Sequence, residues 1–186
     1  MKRIFDLILA LIIAVPAVAV CTLCAVFIVL ETRSIPVFVQ KRLGQNAEPF
    51  NIFKLRTMKV GSANVASHEI GLEQITRVGA LLRKLKLDEL PQILNVLSGK
   101  MSFVGPRPGL PNHEELTQAR MQHDVFSLVP GITGPAQLAG FDMSTPQELA
   151  AIDATYIGDW SLTEDLRYLW KTFTGRGRGD AANRIK

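Results

Sequence analysis

The 186-residue sequence has little of what staples a small fold by means other than packing. Its only cysteines, Cys21 and Cys24, make no disulfide framework. They lie inside an apolar run, where thiolates are strongly disfavoured, and read as small apolar residues. His68, His113 and His123 are scattered without metal-ligand spacing and are assigned no catalytic work. There is no zinc-finger spacing and no aromatic-rich strand of the RNA-binding kind, so nucleic acid is not an expected partner. The net charge of +4 must then serve another anion, a membrane surface or a phosphorylated substrate. No internal repeat is visible, and the length suits one domain with one sizeable core. The most consequential absence is charge itself between Leu7 and Leu30.

That uncharged run is long enough to span a hydrocarbon core of about 30 Å. It does not read as a cleaved leader, because apolar residues continue from Val20 to Leu30 where a polar cleavage region belongs. Lys2 and Arg3 stand before it, and Arg33, Lys41 and Arg42 after it, so positive charge asks for the cytoplasmic side at both ends. Pro16, inside the run, removes a helical hydrogen bond. Leu7 to Val15 makes about 13 Å of helix, near half the bilayer core. A helix-break-helix that enters and returns and a kinked spanning helix fit these residues equally.

Beyond the membrane segment, Pro36–Lys41 and Phe50–Leu55 have strand character around Gly44-Gln45-Asn46 and predict a small hairpin. Val60–Gly71 reads as a mobile loop. Helices are expected over Val78–Leu87, over His113 to about Phe126, from Thr145 onward, and over Thr163–Thr174. Gly105–Gly109 and Pro130–Gly134 read as irregular loops. Trp160 and Trp170 suit a headgroup-level anchor and a core position about equally. The glycine-rich basic end, from Gly175, reads as disordered.

The chemistry concentrates in KLKLDELPQILNVLSGKMSFVGPRP, residues 84–108. Leu90, Ile93, Leu94 and Leu97 have helical spacing, Pro91 belongs to a first turn, and Gly99 ends the helix. The adjacent carboxylates Asp88 and Glu89 therefore fall at a helix start, where unpaired N–H groups favour an ionised carboxylate and attract phosphate. An ionised Asp there can attack phosphorus.

These residues resemble the bacterial sugar transferases, the small monotopic phosphoglycosyl transferases. LDELPQILNVLSGKMSFVGPRP carries the likeness, joined by KRIFDLILA, PVFVQKRLG, FNIFKLRTM, ITRVGALLRK and VPGITGPAQLAG, from about Lys2 to about Trp170. The resemblance implies transfer of a sugar phosphate from a UDP-sugar to undecaprenyl phosphate, with release of UMP through an aspartyl-phosphosugar intermediate. Asp88 and Glu89 are then the catalytic pair and the ligands of a Mg2+ ion. Arg107 becomes a bidentate phosphate clamp, with Arg83, Lys54 and Arg56 as further phosphate-binding candidates. Whether Glu89 holds metal or deprotonates the lipid phosphate stays open.

The resemblance also turns the membrane segment into a re-entrant anchor broken at Pro16. The implied organisation is an α+β, helix-rich chain: anchor 1–33, catalytic domain 34–174 on the cytoplasmic face of the bacterial inner membrane, and flexible tail 175–186. It implies a minimal form without the large N-terminal membrane domain of longer relatives. Membrane lipid is a partner, and a homodimer is left open. PGLPNHEELTQAR looks like members that handle N-acetylated, often 6-deoxy, UDP-sugars. Against the pattern, Lys86 stands where a serine is usual, Lys100 replaces an acidic residue, Ile35 a glycine, and Phe141 an arginine. A phosphohydrolase using the same Asp88, and a non-catalytic membrane scaffold, are the rival readings.

Overall fold

The computed structural model describes residues 1–62, 72–158 and 161–174. The centre of the expected mobile loop, His68, Trp160 and the basic tail lie outside the described residues.

The apolar run forms one helix, α1 (Lys2–Thr32), which continues through Pro16. The expected helix-break-helix is thus corrected: Pro16 lacks the N–H that would reach the preceding turn, yet one missing bond in 31 residues does not end the helix. By length and composition α1 can cross a membrane. Its inner stripe, Asp6, Ala10, Ala17, Cys24 and Ile28, repeats at helical spacing and is buried on the globular body. Pro16 lies on the exposed side, among Leu11, Val15, Val18 and Leu23.

Both ends of α1 are bonded to the same globular body. At the first turn Lys2 Nζ lies 2.7 Å from Asp165 Oδ2, and Arg3 donates to the carbonyls of Val96 (2.5 Å) and Leu97 (2.9 Å). Asp6 accepts from the Phe103 N–H at 3.2 Å. At the other end Glu31 accepts from the N–H groups of Arg77 (2.8 Å) and Val78 (3.0 Å).

The hairpin is present as antiparallel β1 (Val37–Leu43) and β2 (Pro49–Leu55), paired from Val37↔Leu55 to Leu43↔Pro49. The outer edge of β2 is covered by a side chain: Asn95 accepts from Phe53 N–H at 3.2 Å and donates to the Asn51 carbonyl at 2.7 Å. Helix α2 (Arg77–Lys84) starts at Thr76, whose hydroxyl accepts from Gly79 N–H. A 3-10 segment, Leu87–Gln92, then leads into the short α3 (Ile93–Leu97). The expected apolar stripe is only partly kept, since Ile93 is buried and Leu90 and Leu97 are partly buried but Leu94 is exposed, while Val96, outside the pattern, is fully buried.

Pro130–Gly134, expected as an irregular loop, contains β4 (Gly131–Thr133), which pairs in parallel with β3 (Ser102–Val104), just ahead of the Gly105–Gly109 loop. Helices α4 (Glu114–Gln122), α5 (Pro135–Ala139), α6 (Pro146–Ala154) and α7 (Leu162–Phe173) complete the described fold. Leu166, Trp170 and Phe173 of α7 are exposed, so Trp170 is not a core residue. The main core joins Ala10 and Ala17 of α1 to Phe50, Ile52, Val96, Phe103 and Tyr156. A second cluster unites Leu110, Leu116, Ala136, Met143 and Leu149.

The glycines of GPRPG and PGITG explain why β3 and β4 can meet. A Cβ on Gly131 would lie 2.1 Å from the Gly105 nitrogen, and one on Gly134 would lie 2.2 Å from the Gly105 carbonyl oxygen. Backbone here touches backbone, which only glycine permits. Gly131→Ala is therefore expected to destabilise the protein by about 3 kcal/mol through forced separation of the strands. Gly140→Ala, strained by its φ of 86° but with nothing within 4 Å, should cost only about 1 kcal/mol. Urea or thermal midpoints in detergent check the order; equal losses would refute the close-approach explanation.

Candidate active site

The chain leaves α2 through Lys86, whose φ of 56° turns it sharply, and enters the 3-10 segment with Asp88 and Glu89 in its first turn. Lys86 makes no side-chain cap, as expected from the missing serine. Two cationic side chains from different elements converge on Glu89. Lys54, near the end of β2, places Nζ 2.9 Å from Glu89 Oε1. Arg107, in the loop after β3, places Nη2 2.8 Å from the same oxygen. The three side chains are only 15, 16 and 18% exposed for Lys54, Glu89 and Arg107 respectively.

Burial alone would raise the Glu89 pKa. Attraction by Arg107 and Lys54, with hydrogen bonds from both, outweighs it and holds the carboxyl well below the ordinary carboxylate range. Charge-assisted hydrogen bonds of this kind are worth about 1.5–3 kcal/mol each, against about 0.3–1 kcal/mol for an exposed charge at a helix end. The electrostatics of Glu89 therefore come mainly from Lys54 and Arg107. The helix start expected from sequence is here only a 3-10 turn, and its dipole is the lesser effect. Asp88, beside this centre, is half-buried.

Of the candidates, Lys54, Glu89 and Arg107 come together, with Asp88 adjacent in the chain. The other two bond elsewhere: Arg83 Nε donates to Thr57 Oγ1 at 2.9 Å, and Arg56 Nε to the Ile35 carbonyl at 2.8 Å. Asn95, which fixes the strand carrying Lys54, was not anticipated. An asparagine within an apolar helix pattern was its only signal.

Among the described residues no group of three or more His, Cys, Asp or Glu side chains could cage a metal. Magnesium seldom needs one, since it binds through one or two carboxylates plus substrate phosphates. Asp88 and Glu89 fit such a substrate-carried ion.

The sequence profile of the bacterial sugar transferases matches residues 1–177, and the chain belongs to that family of transferase enzymes. It is 38% identical to a UDP-glucose:undecaprenyl-phosphate glucose-1-phosphate transferase of Caulobacter vibrioides, over 92% of this chain and 67% of the relative. It is 35% identical to an undecaprenyl-phosphate glucose phosphotransferase of Komagataeibacter xylinus, over 92% of this chain but 35% of that protein. An uncharacterized sugar transferase of Bacillus subtilis, EpsL, is 36% identical over 92% of this chain and 85% of its own length. The chain thus spans about two thirds of the first relative and about a third of the second.

The depressed Glu89 pKa has a signed consequence. Its stabilisation is fully present above about pH 4.3, the unfolded glutamate value, and is lost as pH falls toward Glu89's own lower value. Glu89→Gln should therefore be less stable than the parent at pH 7, with the gap closing as the solution is acidified below pH about 4. Urea midpoints from pH 7 to pH 2 test this; a gap that widens in acid would overturn the assignment.

Proposed function

We propose that this member of the bacterial sugar transferase family transfers a hexose 1-phosphate from a UDP-hexose to undecaprenyl phosphate and releases UMP. The observation that carries the reading is a half-buried Asp88 beside a glutamate held by Lys54 and Arg107. In the first step an Asp88 carboxylate oxygen attacks the sugar-bearing phosphorus. The bond from that phosphorus to the bridging oxygen breaks, and UMP departs with the electron pair. In the second, an oxygen of the lipid phosphate attacks the same phosphorus and Asp88 leaves as carboxylate. Two displacements at one phosphorus give ping-pong kinetics.

Glu89, kept ionised by two cations, is a weak proton acceptor, and efficient general bases have a pKa near the working pH. It holds Lys54 and Arg107 beside Asp88, where their donors meet the diphosphate. A bound Mg2+ would neutralise pyrophosphate charge during the attack by an anionic carboxylate. The relatives' names favour a plain hexose over the N-acetylated, 6-deoxy sugar expected from PGLPNHEELTQAR. A panel of UDP-glucose, UDP-galactose and UDP-N-acetylhexosamines with polyprenol phosphate, read by UMP release, selects between them.

The contacts of α1 support an anchor that does not cross the membrane, although its helix is unbroken. Lys2, Arg3 and Glu31, at its opposite ends, all bond to the same globular body, so both ends belong on one side. The exposed apolar side then faces lipid, and the catalytic domain lies on the cytoplasmic face of the inner membrane.

Asp88→Asn should abolish turnover. The parent, given UDP-sugar and radiolabelled UMP without lipid, should exchange label into UDP-sugar, and chelation should stop this until Mg2+ is restored. Active enzyme without exchange would refute the covalent step, and free sugar phosphate in place of lipid-linked product would favour the hydrolase reading. For topology, a cysteine added before Met1 and Ser34→Cys, in a background lacking Cys21 and Cys24, should both resist an impermeant thiol reagent outside the cell. Both should react once the membrane is opened. Outside labelling of the first alone would show a crossing helix.

A further inference from the structure

The segment PVFVQKRLG contributes no group to the chemistry above, yet it buries a cation. Arg42, on β1, is 5% exposed. Its Nε and Nη2 both donate to Gln40 Oε1, at 3.0 and 2.6 Å, which orients the guanidinium. Its Nη1 then reaches the Pro108 carbonyl at 3.2 Å and Met143 Sδ at 3.8 Å. Pro108 follows Arg107 directly. The same strand contributes a second tie, from Leu43 N–H to the Gly109 carbonyl at 2.9 Å, and Pro106 accepts from Gly131 N–H at 2.8 Å. Arg107 is therefore carried on a span held on both sides, and the side toward Gly109 is held by β1.

The geometry points to Arg42 as a positioning residue for Arg107, with Gln40 setting its orientation. It rests on the reading of Arg107 as a diphosphate-binding group. A guanidinium presents donors in several directions from one rigid plane, so it can bond Gln40 and a loop carbonyl at once; an ammonium cannot reproduce that fork. Alternation along β1 puts Gln40 and Arg42 on one face of the hairpin, and Lys54, paired with Phe38, shares that face. One hairpin thus supplies Lys54 to Glu89 directly and Arg107 through the loop. If Arg42 acts by this route, its removal matters only while Arg107 is present.

The test is a double-mutant cycle on kcat/KM for the UDP-sugar, using full-length enzyme in detergent, Arg42→Lys, Arg107→Ala and the pair. Arg42→Lys should lose about tenfold, seen in KM for the UDP-sugar and not in KM for the polyprenol phosphate, while Arg107→Ala should lose more. The double variant should be no worse than Arg107→Ala alone. Multiplying losses, or no loss from Arg42→Lys, would overturn the proposal even with Arg107 upheld. An unaffected Arg107→Ala would instead remove the reading of Arg107 itself, and this inference with it. Should Arg42→Lys fail to fold by circular dichroism, Gln40→Leu replaces it in the same cycle, with the same two outcomes.

Discussion

Two cations on one carboxylate oxygen are the constraint from which the rest of this site follows. Lys54 comes from the hairpin, Arg107 from the loop after β3, and Glu89 from the turn before α3, three pieces far apart in sequence. Only their electrostatics require them to meet. Taking one cation away leaves a largely buried carboxylate short of compensation, and taking Glu89 away leaves two cations facing each other. The asparagine on the β2 edge and the close-packed glycines under the Arg107 loop hold the backbones that make this meeting geometrically affordable.

The membrane helix enters the same arrangement from outside it. Glu31, near one end of α1, accepts from the first N–H groups of α2, and Arg3, near the other, donates to the last carbonyls of α3. An acid at a helix start and a base at a helix end both complement the macrodipole. These two helices flank the turn bearing Asp88 and Glu89. The anchor is thus joined to the catalytic segment on both sides, and whatever depth α1 takes in lipid is transmitted to the dyad through two capped helices and not through a loose linker.

The hairpin, α2, α4, α6 and α7 were legible because each rests on local sequence, as with Pro146 at the start of α6, although α2 stops at Lys84, short of the expected Leu87. The β3–β4 pair was not. Its strands are three residues each, they lie 29 residues apart in register, and their contact depends on glycine backbones that carry no pattern. Asp88, Glu89, Lys54 and Arg107 could be nominated through family likeness, but convergence of Lys54 and Arg107 on Glu89 is a long-range property. The same likeness nominated Arg56 and Arg83, whose Nε groups bond elsewhere. Gln40 and Arg42 illustrate the opposite failure: Arg42 entered the sequence reading only as a positive charge after the apolar run, and its burial with Gln40 is a long-range property.

In the proposed reaction three anionic groups, the nucleophile, the diphosphate and the lipid phosphate, must approach one point. A site of bare cations would bind the diphosphate strongly but would repel itself before substrate arrived. Glu89 relieves that repulsion while holding Lys54 and Arg107 at bonding distance from an anionic oxygen. When a phosphate oxygen takes part of Glu89's place, one anionic acceptor is exchanged for another, so little reorganisation accompanies binding. On that proposal the glutamate is a stand-in for substrate phosphate in the resting enzyme. On the same proposal the neighbouring carboxylates divide the work: Glu89, bonded to both cations, organises charge, and Asp88 attacks phosphorus.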